Sequence, residues 1–161
     1  MPMYELYKFV HVLGVILLVG NVTVTSVWKV FADRTGDPST IAFAQRLVTG
    51  TDWAFTGGGA ALVIGGGYAM ALEAGIPLLA PGWMLWSQLA FLLSGVLWLA
   101  VLLPIQVRQS RLTRAAAHLP TMPAHARARY RALAVRWLVW GIAATVPLAA
   151  ALYMMLAKAP R

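Results

Sequence analysis

Four stretches of this chain are each long and apolar enough to cross a lipid bilayer: roughly residues 6–28, 53–72, 83–105 and 132–157. A crossing needs about 20 mainly apolar residues. Inside a bilayer every backbone N–H and C=O must be satisfied within the segment itself, and for single spans that leaves the α-helix. The spans take up over half of the 161 residues, so no separate soluble domain fits. With 60% hydrophobic and only 11% charged residues, a water-soluble fold of this size would have no means of burying its apolar surface. The expected fold is all-α: a polytopic membrane protein, one domain over 1–161, built as a bundle of four transmembrane helices. The remaining long segment, 106–131, reads as a basic cytoplasmic loop.

Several chemistries are excluded at once. The chain has no cysteine, hence no disulfide, thiolate metal site or catalytic thiol. The glycine clusters lack the spacing of a phosphate-binding or dinucleotide-binding loop. The N-terminus does not read as a cleaved signal, because Glu5 precedes Lys8 where a signal peptide would begin with positive charge. The first span is read as a retained helix.

The net charge of +8 is distributed by loop. Arg108, Arg111, Arg114, Arg127, Arg129, Arg131 and Arg136 cluster between span three and the start of span four, and Lys29, Arg34 and Arg46 lie between spans one and two. Lys8, Lys158 and Arg161 remain for the other side, a split of ten against three. The positive-inside rule then places both termini outside, toward the periplasm or cell exterior. The arginine cluster suits anionic lipid headgroups. Only Tyr130 interleaves with it, which argues against stacking on nucleic acid.

"RTGDPST" at 34–40 marks a turn, with Asp37 or Ser39 as helix cap and Pro38 in the first turn. "TIAFAQRLV" has helical periodicity and is read as an interfacial stretch before the span proper begins near Asp52. "EAGIPLLAPGW" at 73–83 is the outer turn. Pro104 is expected to kink span three.

Helical geometry, at about 100° per residue, groups the polar side chains by face. Tyr4, Lys8, His11, Gly14, Leu18, Asn21 and Thr25 share one arc of span one. Gln45, Thr49, Asp52, Thr56, Gly59, Val63, Gly66 and Met70 share one face of span two. Lipid rejects such polar stripes, so both are expected to face the bundle interior. In "TGGGAALVIGGG" the glycines have two readings: tight helix packing, or room for a flat ligand against bare backbone. Span four groups Arg136, Trp140, Ala143, Pro147, Ala150 and Met154. Asp52 and Arg136, both near the cytoplasmic boundary, are expected to form a structural ion pair, since a lone charge there is costly, with a proton-relay role as the alternative.

His11 is the conspicuous residue, an ionisable ring inside a span. Met70, Met84, Met154, Met155, Tyr68 and Tyr153 fall on the same outer half of the bundle. Three readings stand. The imidazole is hydrogen-bonded to a neighbouring helix, or it is an axial ligand of haem with a methionine as the second ligand, or it joins thioethers around Cu(I). His118 and His125 lie in the cytoplasmic segment, on the wrong side to complete a bis-histidine haem.

The motifs "LYKFVHVLG", "RTGDP", "DWAFTGGGAAL", "WLAVLLPIQV" and "RWLVWGIAATVPLAAALYMMLAKAP" resemble those of a bacterial family of small four-helix integral membrane proteins of unknown function. Ala159 between Lys158 and Pro160 departs from its usual Lys-Pro ending. The first span, "YKFVHVLGV", is also similar to that of the HemJ-type protoporphyrinogen oxidases, where a Lys-x-x-His is associated with haem b. Lys8 and His11 match that pattern.

The expected function is that of a haem-b-binding inner-membrane protein in redox or porphyrin metabolism. His11 is the axial ligand, Lys8 meets a propionate, Gly59 and Gly66 make room for the porphyrin, and Met70 or Met154 completes the iron. The expected partners are the bilayer and either a membrane redox protein or a second copy, with a haem shared between two His11 residues as one form. The competing expectation is a cofactor-free membrane protein that assists assembly or transport.

Overall fold

The computed structural model describes residues 2–79 and 81–157, and among these there is no β-strand. Four runs of 33 to 36 residues are long and apolar enough to span a membrane. In chain order the elements are α1 (Pro2–Thr35), α2 (Pro38–Thr51), a π-helical segment π1 (Asp52–Gly57), α3 (Gly58–Glu73), α4 (Trp83–Leu97), a second π segment π2 (Trp98–Leu102), α5 (Leu103–Ala116) and α6 (Ala124–Ala157). They form two compact units, Met1–Leu78 and Leu79–Arg161, each a pair of antiparallel helices.

The packing is inverted relative to a water-soluble bundle. Phe9, Ile16, Phe31, Leu72, Leu92 and Val146 are exposed, while Thr25, Gln45, Thr56, Ser87, Gln106, Gln109 and Thr113 are buried. Apolar side chains outside and hydrogen-bonding ones inside suit a hydrocarbon solvent.

In the first unit α1 turns into α2 through Gly36, whose φ of 69° admits a residue without Cβ most easily. Asp37 is the cap, its carboxylate accepting from Thr40 N–H at 2.8 Å and from the Thr40 and Ser39 hydroxyls. Beyond the cap, Pro38–Glu73 is helical throughout, so the stretch read as interfacial runs straight into the span. Only π1 interrupts the α geometry. The buried residues of this helix include Gln45, Asp52, Gly59 and Gly66, each seven after the last. On α1 they include Leu18, Thr25 and Ala32, with the same spacing. A seven-residue repeat keeps one seam facing its partner along both helices.

In the second unit the buried stripe of α6 is Tyr130, Leu133, Trp137, Ala144 and Ala151. This corrects the expected face of span four: Arg136, Trp140 and Ala150 are exposed, while Ala143, Pro147 and Met154 are half-buried beside the seam. The small alanines let α4 approach, and a guanidinium is kept out of such a contact by its desolvation cost. At Pro104 the helix widens into π2 one turn earlier instead of breaking. A wide turn accommodates the missing N–H and the ring together. The segment 106–131 is a second correction. α5 continues to Ala116 and α6 begins at Ala124, so most of the supposed loop is helix, with its arginines exposed on those extensions.

Candidate functional site

The seam between α1 and α3 is set by backbone contact. A Cβ at Gly14 would lie 2.7 Å from the Gly59 carbonyl oxygen, and one at Gly59 would lie 2.9 Å from the Gly14 oxygen. At Gly66 it would meet His11 N at 2.7 Å and the Tyr7 carbonyl oxygen at 2.8 Å. Of the two readings of the glycines, helix approach is the one that describes these positions. Gly59 and Gly66 make room for α1, and the space expected for a porphyrin is filled there by its backbone.

That approach places His11. Its Nδ1 lies 2.8 Å from the Val63 carbonyl oxygen, and the ring rests against Gly67, where a Cβ would come within 3.0 Å of Nδ1. A carbonyl oxygen only accepts, so Nδ1 carries the hydrogen. In the neutral ring Nε2 then holds the lone pair. The half-buried imidazole is fixed in orientation and tautomer by a neighbouring helix, as expected of the interior-facing stripe.

Lys8, on the same expected stripe, is exposed and pairs with Glu5 at 3.8 Å. Met70 is half-buried on α3, about two turns beyond Val63. Met154 is half-buried on α6, in the second unit. No three His, Cys, Asp or Glu side chains gather as a metal site among the described residues.

A second polar cluster lies further along the seam. Asn21 Nδ2 donates to Asp52 Oδ1 at 2.8 Å and to Thr56 Oγ1 at 2.9 Å. The Thr56 hydroxyl donates to Asp52 Oδ1 at 3.3 Å. All three residues were legible as stripe members, but not their mutual bonding. Arg136, the expected partner of Asp52, belongs to the second unit and is exposed there.

One buried residue was missed, and one member of the interior stripe is buried more deeply than its role there required. Lys29, counted as a loop charge, is 2% exposed inside α1, with its amine 3.1 Å from Asp33 Oδ2. The i, i+4 spacing to Asp33 was the available signal. Gln45 is 1% exposed, and neither of its side-chain amide atoms has a partner among the described residues. It belongs to the stripe expected to face the interior, one heptad before Asp52.

The family described as predicted integral membrane protein (DUF2269) matches residues 5–159. The chain belongs to that family. It is an integral membrane protein, consistent with its four apolar helices and its exposed apolar surface. No curated protein and no solved structure matches this DUF2269 chain.

Proposed function

We propose that this DUF2269 protein binds haem b in the bacterial inner membrane, with His11 Nε2 as axial ligand. The supporting observation is the 2.8 Å bond from Nδ1 to Val63 O. Haem-ligating and metal-ligating histidines characteristically donate their other nitrogen to a carbonyl or carboxylate, which fixes the ring and raises its basicity. The resemblance of Lys8 and His11 to the HemJ-type first helix points the same way. The residues fit the group in part. The axial donor is preorganised, but α3 offers no cradle at Gly59 and Gly66, so a porphyrin would lie on the Nε2 side of the ring. Bound haem would supply one-electron chemistry. The chain's own part is to orient His11, and Lys8, one turn outward, would meet a propionate on leaving Glu5.

The competing reading is a cofactor-free membrane protein acting as an assembly or transport partner. The closely packed glycines favour it, since they account for themselves without a ligand. Absorption spectroscopy of the protein purified after haem-replete expression separates the two. A Soret band that is lost in His11→Ala, with helicity retained, supports ligation. No band in wild type makes His11 structural.

A further inference from the structure

Asp52 is the ionisable carboxyl of the first unit's buried stripe, 6% exposed at the start of π1. Its hydrogen-bond geometry serves two protonation states. In the first, Asp52 is a carboxylate, and Oδ1 accepts from the Asn21 amide at 2.8 Å and from the Thr56 hydroxyl at 3.3 Å. In the second, the Asn21 amide is turned by half a rotation, exchanging its nitrogen and oxygen at the same positions. A protonated Oδ1 then donates to the Asn21 oxygen across the same 2.8 Å, and the Thr56 hydroxyl donates to that oxygen across 2.9 Å. Both lengths lie within the range of O–H···O bonds, and an amide oxygen accepts two donors. Within this trio no heavy atom has to move apart from the amide ends, which are interchangeable in shape.

Two independent features accompany this arrangement. Asp52 opens a widened helical turn, a geometry concentrated at functional positions. One heptad toward the α1–α2 turn, Gln45 has a fully buried amide with no partner among the described residues. Ordered water is the usual partner of such a group, and it would give the stripe an aqueous connection.

We propose that Asp52 is a proton-exchanging acid within the membrane, with the Asn21 amide turning to follow its state. On uptake a proton from water forms an O–H bond at Oδ1 and neutralises the carboxylate. On release the proton returns to water along the stripe past Gln45. Among the described residues of the first unit, the other titratable groups flank the site at a distance. On α1, Lys29 and Asp33 lie about 12 Å or more toward the α1–α2 turn and His11 about 15 Å the other way. Arg46 on α2 and Tyr68 and Glu73 on α3 are exposed.

The test is labelling of the full-length protein in liposomes with dicyclohexylcarbodiimide, which reacts from the lipid phase with protonated carboxyls. The acid proton passes to a carbodiimide nitrogen, the carboxyl oxygen bonds to the central carbon, and rearrangement leaves a stable N-acylurea with nothing expelled. The Asp52 peptide should gain the mass of one reagent molecule. Labelling should fall about tenfold for each pH unit above its midpoint and vanish in Asp52→Asn. Asn21→Leu removes an amide whose charge-assisted bond to the carboxylate is stronger than the bond it accepts from the acid, so the midpoint should move by about a unit or more. An unchanged profile there overturns the role of Asn21. Infrared spectra of wild type should show a protonated-carboxyl band that grows on acidification, which decides the matter even if the variants fail to fold. Asp52 inert to the reagent at every pH, with no such band in folded wild type, overturns the proposal.

Discussion

Two adjacent glycines of α3 should respond in opposite ways to the same substitution. At Gly65 an added Cβ meets nothing within 4 Å, whereas at Gly66 it meets His11 N at 2.7 Å and Tyr7 O at 2.8 Å. Both changes gain helix propensity, about 1 kcal/mol for Gly→Ala. That gain is common, so the difference between the two variants isolates the contact. Unstrained contacts of carbon with backbone atoms begin near 3.5 Å. Gly66→Ala must therefore push α1 and α3 apart by about 0.7 Å, because the atoms it meets are backbone and have no rotamer to escape into. Overpacking of this kind costs about 1–3 kcal/mol. It also stretches the His11–Val63 bond from 2.8 Å toward about 3.5 Å, beyond useful hydrogen-bond length. Reversible unfolding in mixed detergent micelles, followed by circular dichroism, should rank Gly65→Ala at or above wild type. Gly66→Ala should lie about 1–3 kcal/mol below Gly65→Ala. Equal effects of the two substitutions would refute the seam as the element that positions His11.

Further outcomes follow from single residues. Asp37 is held down to about 2 from 3.8 by the Thr40 hydroxyl, then by the Ser39 hydroxyl and the Thr40 N–H. A carboxylate with a depressed folded value contributes stability that is intact above the unfolded value and is lost as pH falls through the folded one. Thermal melts should thus weaken between about pH 4 and pH 2, and Asp37→Ala should lack that component. A reporter fused after the C-terminus should be active only outside the cytoplasm, as the basic residues of the chain dictate; cytoplasmic activity would invert the orientation. Arg136 is exposed, so Arg136→Gln should change unfolding free energy by no more than about 0.5 kcal/mol. A loss near 3 kcal/mol would instead restore an ion pair with Asp52. Asn21→Leu, which strips the buried Asp52 and Thr56 of a donor, should cost about 1–3 kcal/mol.

The helices and their inner faces were legible because a bilayer punishes error. A polar side chain in hydrocarbon has no water to fall back on, so the arcs holding His11, Asn21 and Thr25 and those holding Asp52 and Thr56 had one place to go. Lys8 escaped the arc because it lies near the helix end, where Glu5 and the headgroup region offer partners. Helix ends were less legible, since an arginine-rich segment such as 106–116 looks like a loop by hydropathy and is a good helix by propensity. Neither π segment announces itself in composition, because the widened turn is decided by packing.

The face of span four was grouped by helical geometry around Arg136, with Asp52 as the expected partner of that residue. In the second unit Arg136 is exposed, and the seam of α6 runs through Tyr130, Trp137, Ala144 and Ala151. In the first unit the Asp52 carboxylate accepts from a neutral amide and a hydroxyl, those of Asn21 and Thr56. An amide partner differs from a guanidinium in one consequential way. Arginine holds its neighbour permanently ionised, while an amide can donate to a carboxylate or accept from an acid. The choice of an amide at Asn21 leaves Asp52 able to exist in two states. His11 shows the same economy: one nitrogen is committed to the fold through Val63, and the other is kept for chemistry.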